Sequence, residues 1–360
     1  MKKNLVFPLL ILGSSLTALM GCASDNRLRL TYGSVVDTEA SELTYDDFIY
    51  RMESGENMIV VTYDSIYSID CSCWTGFKKI IDEYVNKTTT IVYQIDRNQF
   101  SEAGRLVAKE YGLDLPLEKS DPTCIITNNG TITNQYRAYS QNNKPIFESL
   151  DGFKKAIEKV TKPAQLIYAD RNYLHKQIFE DKVDKFVVYQ GRNGCGDCNY
   201  CTPNCLVPFS NSHDFKNPVY LMDLQVKGIY YDENMNKDNE TYLAYKQEYQ
   251  MTEDKNAKFG FSTGVVPTFQ VWKKGVLSDA CVYFNDMAKK DENGKWVIDE
   301  TYYTKERIQN LAYTNTILKG LEIEEDKLDI YGEIGFWKKE AAAIYHNKIL
   351  ESFLDYYAVR

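Results

Sequence analysis

KFVVYQGRNGCGDCNYCTPNC, residues 185 to 205, joins an apolar run, a turn and a cysteine pair within twenty-one residues. Phe186, Val187 and Val188 predict a short buried β-strand. Gly191, Asn193 and Gly194 supply turn-formers, and Cys195-Gly-Asp-Cys198 follows where a helix should begin. A strand that delivers a Cys-x-x-Cys pair onto a helix N-terminus is a chemical device. Unpaired backbone N–H groups and the positive helix end stabilise a thiolate at the first cysteine. An ordinary thiol, with a pKa of about 8.5, is roughly 3% thiolate at neutral pH, and one lowered to about 7 is half thiolate. Intrinsic nucleophilicity falls with pKa, so the gain in attack rate is only about threefold. The larger effect is that the same thiolate becomes a better leaving group, which suits disulfide exchange.

Further on stands Val265-Val266-Pro267-Thr268-Phe269, continuing through Trp272 to a Lys-Lys-Gly275 turn. Proline has no N–H for a ladder, so Pro267 marks the first residue of that strand. A Cys-x-x-Cys after a strand, followed later by Val-Pro-Thr-Phe, resembles the thioredoxin family. Pro203, five residues after Cys198, matches the helix-kinking proline of many thioredoxins. The resemblance implies that Cys195 is the attacking nucleophile and Cys198 the resolving thiol. It also implies a cis-proline loop at Val266-Pro267 that presents backbone groups to an extended substrate. Three departures stand out. Gly194 replaces a tryptophan, and Tyr189 or Val188 falls where the family often holds a buried acid. Asp197 places a negative charge inside the motif, which opposes thiolate formation. The direction of exchange (reduction, oxidation or isomerisation) stays open.

The N-terminus carries a different kind of signal. Lys2 and Lys3 precede apolar stretches at Leu5 to Leu12 and Leu16 to Met20, and Leu19-Met20-Gly21-Cys22 resembles a bacterial lipobox. Cys22 would be the lipid-modified first residue; a signal peptide with an incidental cysteine is the plainer alternative. Residues 1–22 are therefore read as a targeting element, and 23–43 as a polar tether. The expected location is the extracytoplasmic face of a cell membrane, lipid-anchored, where disulfides can persist. With 360 residues, 44% hydrophobic and 26% charged, the chain has room for two globular domains. Its net charge of −9 gives no sign of a nucleic-acid partner.

The segment from Thr44 to Pro163 reads as helix, strand (Met58 to Tyr63), cysteine motif, helix (Thr75 to Val85), strand, proline strand, strand and helix. The second half repeats that order, with Lys289 to Glu300 as a charged surface insertion and a closing helix around Lys305 to Leu318. The expected fold class is α/β: two tandem thioredoxin-like domains, at 44–163 and 164–320, each a central mixed sheet flanked by helices. An extension at 321–360 holds an extra amphipathic helix from Phe336 to Tyr357. Asp121-Pro122 takes the cis-proline position of the first domain.

The remaining cysteines allow several readings. Cys71-Ser-Cys73 in the first domain is either a second redox pair or a fixed structural bridge. Cys201 and Cys205 can form a disulfide if Pro203 bends the helix between them. The spacing of Cys195, Cys198, Cys201 and Cys205 also matches a bacterial iron–sulfur run, although Leu206 stands where that run has proline. Zinc on the same thiolates is a weaker variant, and the three histidines (175, 213 and 346) lack metal-pair spacing, so no metal is assigned. Cys124 and Cys281 read as buried small hydrophobes.

These observations point to a membrane-anchored, extracytoplasmic thiol–disulfide oxidoreductase acting on exported cysteine-containing proteins through a mixed disulfide, with a separate redox partner. No small cofactor is required, because the cysteines carry the electrons. The rival reading is a non-catalytic accessory or binding lipoprotein whose cysteines are structural bridges, with an iron–sulfur protein third.

Overall fold

The computed structural model describes residues 25–66, 72–113, 121–192, 194–225, 229–230, 239–251, 255–256, 261–262, 266–283, 288–298 and 323–360. The segment 1–22 read as a targeting element, with Cys22, then Cys71, and the helix expected at 305–318 lie outside the described residues.

The polar tether expected at 23–43 is replaced by three short strands, β1 (Leu28–Arg29), β2 (Tyr32–Ser34) and β3 (Ser41–Glu42). Leu30, Tyr32 and Leu43 are buried. The composition is polar on average, but its few apolar residues fall where two sheets need an edge strand. Gly33 makes the passage possible: a Cβ there would overlap the Thr89 carbonyl and stand 2.8 Å from Ile167 Cδ1.

Helix α1 (Tyr45–Glu53) begins at Thr44 because the Thr44 hydroxyl accepts from Asp47 N–H while the Asp47 carboxylate accepts from Thr44 N–H, a reciprocal cap. Strand β4 (Ile59–Tyr63), helix α2 (Ser72–Lys87), strand β5 (Val92–Asp96) and helix α3 (Glu102–Glu110) follow. Strands β6 (Thr123–Asn128) and β7 (Thr131–Arg137) then lead into helices α4 (Lys144–Glu148) and α5 (Leu150–Val160). The sheet runs β3-β5-β4-β6-β7, parallel up to β4 and antiparallel beyond it. Ile59, Val61 and Val92 face Phe77, Ile81 and Phe153 in one apolar core.

Strand β8 (Thr161–Lys162) pairs with β1 and leads to β9 (Leu166–Tyr168). Helix α6 (Arg171–His175) runs on through a wider turn to Glu180. Next come β10 (Phe186–Gly191), α7 (Gly196–Cys201), α8 (Val207–Ser212), β11 (Val219–Asp223) and α9 (Asn239–Glu248). A small hairpin, β12 (Lys255–Asn256) and β13 (Phe261–Ser262), precedes β14 (Thr268–Lys273) and β15 (Val276–Val282). From β9 the order is β9-β11-β10-β14-β15, again parallel up to β10 and antiparallel beyond. The two units therefore share one topology. The second gains β2, which pairs with β9 as a sixth strand donated by the N-terminal segment.

Two expectations for the C-terminal third are corrected. The charged insertion at 289–300 instead contributes β16 (Ala288–Lys290) and β17 (Trp296–Ile298) to a sheet with β18 (Leu328–Tyr331) and β19 (Ile334–Trp337). Its lysines are exposed, but Trp296 and Trp337 are buried and give the small sheet an apolar face. Phe336 accordingly lies in a strand, and the helix starts only at Lys339, running in successive turns to Val359. Nor is that helix a separate extension. Phe353 packs edge-on at 6.4 Å from Phe269, and the Tyr357 hydroxyl donates to Asp279 Oδ2 at 2.6 Å. The apolar stripe of residues 349–358 is buried in the core of the second unit, so the helix closes that unit.

Candidate functional site

Strand β10 carries the chain to Gly191, whose carbonyl accepts from Leu224 N–H at 2.7 Å. Gly194, at φ +73°, then turns the backbone through a conformation that favours glycine. The turn sets Cys195 at the N-cap of α7, with its carbonyl accepting from Asn199 N–H at 2.9 Å. Its sulfur accepts from Cys198 N–H at 3.4 Å. Helix N–H groups are unpaired in the first turn, so an anionic sulfur there satisfies donors that otherwise have no partner.

The Cys195 pKa is lowered to about 6, first by the hydrogen bond from the Cys198 side chain, then by the backbone N–H groups of Cys198 and Asp197 and the nearby Arg192 charge; burial works against it. Cys198 moves the other way, its pKa raised by the same sulfur–sulfur hydrogen bond and by burial. The two thiols are thus unequal: one ionises readily, and the other keeps its proton. Asp197, expected to oppose thiolate formation, contributes a backbone donor instead, because the helix start turns its amide toward the sulfur.

Across from α7, the Cys195 thiol donates to the Val266 carbonyl at 3.4 Å. The Val266–Pro267 bond is cis and Thr268 opens β14 immediately after it. A duplicated strand order with an N-cap cysteine facing the residue before that proline is the arrangement the resemblance implied. The fold is thioredoxin-like.

Neither a family model nor a curated protein matches the chain. Among solved structures, a mutant thioredoxin from Halobacterium salinarum matches at 15% identity and TM-score 0.25, covering 35% of this chain and 94% of that one. ERdj5 form I matches at 9% and TM-score 0.27, over 66% of this chain but only 25% of that one. The human ERp44 zinc-bound form matches at 12% and TM-score 0.23, covering 68% of this chain and 53% of that one.

The other sequence candidates fare differently. Cys201 and Cys205 form no disulfide. The helical path does not break at Pro203 but widens into a single five-residue turn, Thr202–Leu206. The Asn204 side chain donates to Tyr200 O at 2.8 Å, serving a carbonyl near the missing proline N–H. Cys205 Sγ donates instead to Asn347 O at 3.6 Å on the C-terminal helix. For the same reason the four cysteines do not converge as an iron–sulfur run: among the described residues no group of three or more His, Cys, Asp or Glu side chains could hold a metal ion.

Asp121-Pro122 does stand directly before β6, as Val266-Pro267 stands before β14, but its peptide bond is not cis. An X–Pro bond favours trans by about 0.5–1 kcal/mol unless its surroundings select otherwise. In the first unit Cys73 belongs to α2, with its side chain outside the described residues, and Trp74 stacks on Tyr63 at 4.7 Å. Cys124 is fully buried, and burial pushes its thiol up to about 12.

Arg192 was not among the sequence candidates. Its position three residues before the first cysteine was the available signal, but only the fold turns it toward the thiolate. Its guanidinium also sits 4.5 Å over the Tyr230 ring.

Proposed function

We propose that the chain is a thiol–disulfide oxidoreductase in which the second unit does the chemistry. The observation that carries this is the placement of the thiol pair. Cys195 Sγ stands at the N-cap of α7, accepts from Cys198 N–H at 3.4 Å and lies 3.4 Å from the Val266 carbonyl. Cys198 is buried one turn on, a setting that lowers the Cys195 pKa and raises that of Cys198. The Cys195 thiolate attacks a substrate disulfide, forming a mixed disulfide and releasing one substrate thiolate. Cys198 then loses its proton and attacks Cys195 Sγ. The second substrate thiolate leaves, and the pair ends as a disulfide; run backwards, the same steps oxidise a dithiol. The Val266 carbonyl beside Cys195 offers a backbone acceptor to an extended substrate chain. Thiols on exported proteins fit this chemistry if residues 1–22 act as a lipoprotein signal with Cys22 lipidated, placing the enzyme on the extracytoplasmic face.

Insulin-reduction turnover by the chain, with Cys195→Ser as control, tests the assignment. Turnover lost in Cys195→Ser is the expected result, and turnover that survives the substitution overturns it. A mixed disulfide trapped by Cys198→Ala would carry the partner's identity.

A further inference from the structure

Strands β9, β11 and β10 run parallel, so their carboxyl ends lie along one edge of the second sheet. Tyr168, Leu221 and Tyr189 stand in register across them, and two residues further on Gly191 pairs with Asp223. Side chains alternate along a strand, so both rows belong to one face. All five residues line a single cavity of about 360 Å³. Ligands of open α/β sheets bind outside the carboxyl ends of the strands, in sites of about 300–1,000 Å³. This cavity has that place, and its volume stands at the small end of that range.

Its charges come in equal numbers. From the first unit, Arg51 and Glu56 form an ion pair at 2.7 Å in the far wall. The second unit contributes Arg192, directly after β10, and Asp223, at the end of β11. Asp223 Oδ1 accepts from Gln225 N–H at 2.9 Å, which holds the carboxylate at the strand end. The Arg192 guanidinium lies 4.5 Å over the Tyr230 ring, and its Nε is buried with no hydrogen-bond partner among the described residues. A buried donor in that state favours a ligand that brings an acceptor. A carboxylate suits it best, because it meets the planar guanidinium with two parallel bonds. Tyr32, Leu206 and the Tyr168–Leu221–Tyr189 row supply the apolar part of the lining.

The geometry points to this cavity as a binding site for a free α-amino acid with a large apolar side chain. The ligand carboxylate pairs with Arg192 and its ammonium with Asp223, while its side chain lies against the tyrosines and leucines. A zwitterion matches the one cation and one anion that the second unit presents. A polyanion such as a nucleotide would set its further charges against Glu56 and Asp223, and like charges in contact are costly. The site goes beyond the exchange reading and assumes no step of it.

Titration calorimetry on the full chain with L-phenylalanine tests the assignment, and saturable binding with a Kd of about 1 mM or tighter is expected. Phenethylamine lacks the carboxylate, 3-phenylpropionate lacks the ammonium, and glycine lacks the side chain. Each should bind at least about tenfold more weakly than L-phenylalanine. In Arg192→Gln the preference for L-phenylalanine over phenethylamine should vanish, and in Asp223→Asn its preference over 3-phenylpropionate. Each preference compares two ligands on one protein, so altered stability does not imitate its loss. Should a variant not fold, the series on the wild-type chain still decides. The proposal is overturned if L-phenylalanine shows no saturable binding, if any of the three analogues binds as tightly, or if either preference persists in its variant. None of these probes carries sulfur and no turnover is read, so failure here leaves the oxidoreductase assignment standing, and the reverse.

Discussion

The Cys195 sulfur lies 3.4 Å from the Val266 carbonyl oxygen, a residue 71 positions further along the chain. The contact joins the start of α7 to the loop before β14. It holds the ionisable thiol between helix donors on one side and a backbone acceptor on the other.

Cys195 is expected to alkylate with a pH midpoint near 6, against about 8.5 for an ordinary thiol. The sign follows from the depressed value: the thiolate and its helix hydrogen bonds are present above the folded pKa and are lost as pH falls through it. Reduced protein should therefore gain stability between about pH 6 and the unfolded thiol value. Iodoacetamide rates read by mass spectrometry check this, and a midpoint near 8.5 would count against the N-cap geometry. Cys124 should remain unmodified in the same experiment.

Removing the Arg192 charge should move that midpoint upward, because the guanidinium favours the thiolate by Coulomb attraction. At pH 6, Arg192→Gln is expected to alkylate about two- to fivefold more slowly, the range of one partly screened charge. High salt should shrink the difference between the two proteins. An unchanged rate at low salt would show that the hydrogen bonds to the sulfur alone set the pKa.

Gly191→Ala forces a methyl against the Tyr189 ring, and the neighbours on β10 are closely packed. The expected cost is about 1–3 kcal/mol of stability. Denaturant melts read that loss. A variant as stable as wild type would show that the ring moves aside freely.

Phe353→Ala removes a fully buried ring where the C-terminal helix meets Phe269. A loss of about 3–5 kcal/mol is expected by urea denaturation, as for other buried phenylalanines. A loss under about 1 kcal/mol would mean that the helix is an appendage after all.

Local chemistry made much of this protein legible from its residues. Apolar runs with turn-formers beside them place β4 and β14 within a residue and the start of β10 at Phe186, because burial of Val and Phe leaves few alternatives; β10 itself runs on through Gly191, which reads as a turn residue. The Thr44–Asp47 cap and the Cys195-x-x-Cys198 spacing fix helix starts through hydrogen bonds between near neighbours. The repeated order of elements was likewise visible, since each unit carries its own copy of the pattern.

What only the tertiary structure decided is everything set by partners far apart in sequence. Tyr32 could become a strand of the second sheet only once β9 offered it an edge, and the helix ending at Val359 closes that sheet because Phe269 and Asp279 await it. Tyr189 stands where an acid was looked for, and its position reveals nothing until Gly191 clears room for the ring and Thr202 meets the hydroxyl. The physical reason is common to all three. Short-range propensity and capping depend on a few neighbouring residues, whereas edge pairing, helix docking and long-range side-chain contacts depend on surfaces that exist only after the chain has folded.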